Sequence, residues 1–145
     1  MCNKFYRKGA KGNQSLAMTR DELNVFSKTI LDASISVHKE MGPGLLEAVY
    51  QQCLVKELIL RDVKVNTMVP VPLQYKGHLL NKDYVIDILV EDEIILELKA
   101  IEVILPVREA QIISYLKLAK KRLGFLINFN VPLVKDGFKR FVNNF

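Results

Sequence analysis

Apolar positions along the chain recur with two different periods. Leu23, Phe26, Ile30, Ala33, Val37 and Met41 follow one another at three- and four-residue steps, which predicts one buried face of a helix. Thr19-Arg20-Asp21-Glu22 marks its start as a capping box, Thr19 covering a free amide while Glu22 reaches back. Gly42-Pro43-Gly44 ends it. A second helix is predicted over residues 45–60, with Leu46, Val49, Cys53 and Leu58 as its buried face.

Strand signals follow. Residues 63–69 alternate weakly, and residues 71–75 form a separate short strand, broken by Pro70 and Pro72 and so confined to an edge. Lys76-Gly77 is a turn. Two apolar runs, 84–90 and 94–99, flank the acidic triplet Glu91-Asp92-Glu93 and read as a hairpin. Pro106 suits the first turn of a helix predicted over 107–121. Residues 123–129 are almost wholly apolar, and Asp136-Gly137 marks a last turn before a short strand, 138–142. The order ααββββαβ with a terminal extension predicts an α/β fold, a mixed sheet flanked by helices.

Composition narrows the class. A chain of 145 residues, half hydrophobic and 26% charged, is one globular domain that can bury a core without disulfides or structural metal. No apolar run approaches the ~20 residues of a membrane span. The start of the chain lacks the apolar core of a secretory signal. Cys2 and Cys53 form neither a metal pattern nor a disulfide framework, so a reducing cytoplasm is the expected location. The net charge of +5 comes from residues 1–20, which hold Lys4, Arg7, Lys8, Lys11, Arg20 and no acid. Residues 1–18 are therefore expected to be a flexible basic arm, and 19–145 the domain. Within that domain basic residues gather late, at Lys117, Lys120, Lys121, Arg122, Lys135, Lys139 and Arg140. Acids gather between Asp83 and Glu97. Such segregation suits a phosphate-binding surface beside an acidic metal pocket.

The acidic hairpin carries candidate chemistry. If Glu91–Glu93 is a three-residue loop, Val90 pairs with Ile94 and Asp87 falls opposite Glu97, with Lys99 on the same face as Glu97. This register also gathers Ile86, Ile88, Val90, Ile94, Leu96 and Leu98 on the other face. Two carboxylates facing one another across a hairpin repel unless something offsets their charge. Mg²⁺ would do so, since it binds through one or two carboxylates, keeps several waters and takes a further ligand from phosphate. On these three residues alone, however, a solvated outer face with a Glu–Lys pair is the simpler reading.

Two further motifs change the balance. Gly44-Leu-Leu-Glu-Ala-Val-Tyr50 is G-x-x-E-x-x-Y, and Gln111-Ile-Ile-Ser-Tyr115 is Q-x-x-x-Y on the helix after the hairpin. Together with Asp87 and Glu97-Leu-Lys99, they resemble the GxxExxY proteins, a branch of the PD-(D/E)XK nuclease superfamily. The resemblance runs from about Phe26 to Asn143 and implies a restriction-endonuclease-like fold. It further implies that Glu47, Asp87 and Glu97 are metal ligands for Mg²⁺ or Mn²⁺. Lys99 would be the catalytic lysine, with Gln111 and Tyr115 placing substrate beside it. The residue before Asp87 is isoleucine rather than the proline of the superfamily name.

The expected activity is hydrolysis of nucleic-acid phosphodiesters, with DNA favoured over RNA. A non-catalytic module of the same fold, holding nucleic acid or protein, is the alternative, and a scaffold role is a third. A homodimer would allow two cuts across a duplex. His38 and His78 lack the paired cysteines of a zinc site and stay outside the ligand set. Cys53 reads as a small buried hydrophobe. Tyr50 could serve the site or only packing.

Overall fold

A computed structural model describes residues 17–145. Residues 1–16, most of the basic arm, lie outside the described residues. Met18, at the end of that arm, is buried in the core, and its carbonyl accepts from the Arg122 guanidinium at 2.5 Å.

Helices α1 (Arg20–Met41) and α2 (Glu47–Leu60) come first. Strands β1 (Val65–Tyr75), β2 (His78–Val90) and β3 (Ile94–Lys99) follow, then helix α3 (Pro106–Ala119) and strand β4 (Leu123–Asn128). A short 3₁₀ turn, Val134–Gly137, leads into β5 (Phe138–Val142). Among the described residues the strands form one sheet in the order β1-β2-β3-β4-β5. Only β3 and β4 run parallel, because α3 carries the chain across between them. This is the predicted mixed α/β architecture.

The capping box forms as predicted: Thr19 Oγ1 accepts from the Glu22 amide at 3.1 Å, and the Glu22 carboxylate accepts from the Thr19 amide at 2.9 Å. The predicted face of α1 is buried except Met41, which lies at the helix end and is exposed. The predicted face of α2 is rotated. Tyr50, Leu54 and Leu58 are buried, whereas Leu46 is exposed and Val49 and Cys53 are half-buried. Helix α2 carries apolar residues on every side, so spacing alone does not choose its inner face. Tyr50 decides it, because its hydroxyl finds backbone partners and the ring can go inside.

Two strand predictions are also corrected. Residues 65–75 form one strand rather than two, since both prolines sit on the sheet edge where no ladder donor is needed. Strand β2 begins at His78, well before Tyr84; its first residues are exposed and pair only with β1, so they show no buried periodicity. Three strands therefore precede α3, not four.

One core fills the space between α1, α2 and the sheet: Phe26, Ile30, Tyr50, Leu54, Ile88, Leu96, Phe125 and Ile127 are among its members. A smaller one, with Tyr84, Ile86, Leu89, Ile95 and Leu116, lies under α3. Gly124 permits that close approach, since a Cβ there would stand 3.2 Å from Ile112, Leu116 and the Ile95 carbonyl.

Ile86 belongs to the α3 side, not with Ile88 and Val90 as the alternation predicts. The two strands exchange faces together: Val65 packs on the α1–α2 side, while Val69, Val71 and Leu73 pack on the α3 side. The exchange falls where Met68, at φ 52°, stands opposite Asp87 without pairing.

Candidate active site

Strand β3 presents Glu97 and Lys99 on the same face as Ile95, the face covered by α3. The predicted three-residue loop is present, with Val90 paired to Ile94, Leu89 to Ile95 and Ile88 to Leu96. There the β2–β3 ladder stops, one step before Asp87 and Glu97. Strand β3 continues along β4 through Glu97–Leu126 and Lys99–Asn128. The sheet therefore forks at these two acids.

Glu97 is buried at 7% exposure and Asp87 is half-buried. Burial is the main reason the Glu97 carboxyl is pushed up to about 7; the Asp87 charge adds to it, Lys99 opposes it, and Glu47 adds a little more. Asp87 is likewise raised by burial and pulled back by Lys99. Lys99 thus acts on both carboxylates, and Asp87 on Glu97, where the sheet forks. Glu47, the first residue of α2, reaches the same pocket electrostatically from another element.

Gln111 and Tyr115 join it from α3. They stand one helical turn apart on α3, and Tyr115 senses Glu97, Asp87 and Gln111. Burial and these two charges raise the Tyr115 hydroxyl, against Gln111 and Arg108. All six residues anticipated from the sequence therefore bear on one region.

The G-x-x-E-x-x-Y motif has a mechanical explanation. Gly44 holds φ 95°, a conformation that favours glycine, in the loop before α2. Tyr50 is fully buried, stacks on Phe129 at 4.6 Å, and donates to the Gly42 carbonyl at 2.5 Å while accepting from the Leu45 amide at 3.1 Å. The tyrosine thereby staples the loop that presents Glu47, and its role is packing.

Three residues escape sequence reasoning. Tyr84 is buried, stacks on Tyr115 with ring centroids 3.5 Å apart, and its hydroxyl has no partner. Strict alternation puts Tyr84 and Asp87 on opposite faces; only the exchange at Asp87 brings them together. Asn128, buried beside Lys99, donates to the Ile101 carbonyl at 2.8 Å and accepts from the Ile101 and Asn130 amides, which fixes the chain leaving β3. Gly137 allows the 3₁₀ turn to press on Asn128, whose carbonyl oxygen would collide with a Cβ there. No local motif announces any of the three.

His38 donates from Nε2 to the Phe129 carbonyl at 3.1 Å, so it serves the core. His78 is exposed at the start of β2. The acidic triplet is structural: Glu91 accepts from the Lys64 amide, Asp92 pairs with Lys64 at 2.7 Å and accepts from Lys121 at its carbonyl, and Glu93 lies 3.9 Å from Arg122. The late basic residues do not act as one group: Lys139 pairs with Glu109 of α3 at 2.7 Å. Lys117, Lys120, Lys121 and Arg122 line a concavity with Asn143 and Asn144 at the far end of α3, beside the turn. From Ile94 to Glu97 is roughly 10 Å of strand.

The donor set fits a hard divalent cation. Two oxygen-donor carboxylates are held together at a cost that positive charge would relieve. Among the described residues no group of three or more His, Cys, Asp and Glu side chains is placed to hold a metal ion, so Glu47 does not join Asp87 and Glu97 as a third ligand here. A cation here would rest on two carboxylates and leave positions for water and phosphate, as Mg²⁺ prefers.

The profile of the PD-(D/E)XK nuclease superfamily matches residues 24–141. The chain belongs to that superfamily, and its five-stranded mixed sheet flanked by helices is the restriction-endonuclease-like fold. No curated protein and no solved structure matches the chain. Among the described residues no helix is long and apolar enough to cross a membrane.

Proposed function

We propose that this protein is a divalent-metal-dependent nuclease of the GxxExxY branch, hydrolysing phosphodiester bonds in nucleic acid, DNA in preference to RNA. The observation that carries this is the fork at Asp87 and Glu97: two carboxylates raised by burial, Glu97 further by the Asp87 charge, with Lys99 acting on both. Asp87 and Glu97 would hold Mg²⁺ or Mn²⁺, and Glu47 would complete the negative surround from α2. Such an ion supplies Lewis-acid polarisation of the phosphate and a more acidic water. Lys99 stabilises the charge that develops on the phosphoryl oxygens, an interaction realised only in the transition state. Gln111 and Tyr115 orient the strand beside the acids. The Lys117–Arg122 concavity, lying away from the acids, would grip a phosphate distant from the one cut.

The test is metal titration of wild type and Asp87→Ala, followed by cleavage assays on single- and double-stranded DNA and RNA. Metal-dependent cutting by wild type alone supports the reading. Wild type that binds nucleic acid with the metal bound yet never cuts would show a binding module instead.

A further inference from the structure

Tyr84 is the described residue whose side-chain chemistry is left unspent. Its hydroxyl is buried, solvent does not reach it, and it has no hydrogen-bond partner. An orphaned buried hydroxyl gives up its bonds to water and gains none in return. Phenylalanine would keep the ring between Ile86, Leu89 and Tyr115 without that cost. The hydroxyl therefore does nothing for the stability of the metal-free fold.

Its surroundings say where it is used. Besides burial, the charge of Glu97 is the strongest influence raising its pKa, ahead of Tyr115 and Asp87. The stack on Tyr115 holds the ring in place on one side, and the strand exchange at Asp87 puts it on the α3 side of the sheet with Ile95, the face of β3 that carries Glu97. Metal-ligating carboxylates are commonly fixed by hydrogen bonds from residues behind them.

We propose that Tyr84 is a positioning residue of the acidic pocket, its buried hydroxyl donating to the Glu97 carboxylate when that carboxylate faces a divalent cation. The hydrogen bond fixes which Glu97 oxygen is presented to the ion, and it ends the isolation of the hydroxyl. This rests on the metal-site reading above.

The experiment compares wild type and Tyr84→Phe, using Mn²⁺ alone as the probe, by calorimetric titration and by melting in the presence of chelator. Tyr84→Phe should weaken Mn²⁺ binding by about 10-fold. Its metal-free melting temperature should equal or exceed that of wild type, because an orphaned hydroxyl is removed. A tyrosine kept only for structure would give the reverse: a lower melting temperature with Mn²⁺ affinity intact. Unchanged Mn²⁺ affinity in Tyr84→Phe, with wild type binding normally, overturns the role of Tyr84 and leaves the metal site standing. No Mn²⁺ binding by wild type overturns the metal site, and Tyr84 with it.

Discussion

Met68 stands opposite Asp87 in the β1–β2 ladder with φ at 52°, and the two residues do not pair. Strands β1 and β2 exchange faces at this point, and the β2–β3 ladder, which pairs Ile88 with Leu96, goes no further. The gap so formed exposes Asp87 and Glu97 to one another beneath α3. The site is thus a consequence of a local break in an otherwise regular sheet. Backbone irregularities of this kind are where sheets re-aim side chains.

The raised Glu97 carboxyl makes metal-free stability depend on pH. Its folded-state value of about 7 exceeds the ordinary 4.5, so between these values the folded protein holds more protons than the unfolded chain. Stability is then greatest below the ordinary value and falls as pH rises through about 7, by up to about 3 kcal/mol. Melting in chelator from pH 5 to pH 8 should show this decline, and Glu97→Gln should flatten it. Added Mg²⁺ should restore stability at neutral pH, because the ion favours the ionised pair.

Lys99→Ala separates binding from chemistry. Metal affinity should persist, since the carboxylates remain, while cleavage falls by about 10²–10³-fold as transition-state charge stabilisation disappears. Single-turnover cleavage beside a Mn²⁺ titration measures both. Cleavage at the wild-type rate would reduce Lys99 to a strand charge.

Tyr50→Phe tests the mechanical account of the G-x-x-E-x-x-Y motif. It leaves the Gly42 carbonyl and the Leu45 amide without their side-chain partner. The expected destabilisation is about 1–3 kcal/mol, read as a lower denaturant midpoint at unchanged slope.

Lys117→Glu with Lys120→Glu tests the grip at the far end of α3. Nucleic-acid binding should weaken, and the slope of log K against log salt should shrink by about 0.9 for each duplex phosphate that is no longer neutralised. Mn²⁺ binding should not change, given the roughly 10 Å of strand between the turn and the acids.

How much of this was readable in the chain varies by element. Helices α1 and α3 carry explicit punctuation, Thr19 with Glu22 and Pro106, and both were legible. So was the hairpin loop, because apolar alternation on either side of Glu91–Glu93 favours the three-residue turn that forms. The inner face of α2 was not, since its apolar residues surround the helix and the partner of the Tyr50 hydroxyl lies in a loop. The motif residues Asp87, Glu97, Lys99, Gln111 and Tyr115 could be named from spacing and resemblance. Tyr84 could not, because alternation assigns it to the wrong face and only Met68 corrects that. Charge misled for a related reason: the acidic triplet is neutralised by Lys64, Lys121 and Arg122, partners remote in sequence.

Cleavage of labelled duplex DNA by wild type and by Asp87→Ala, with Mg²⁺ or Mn²⁺ and with chelator, tests the central claim most directly. Cutting by wild type that requires the metal, and its disappearance in a folded Asp87→Ala protein that still binds DNA, is the predicted result. Equal cutting by both proteins, or cutting that survives chelation, would contradict it.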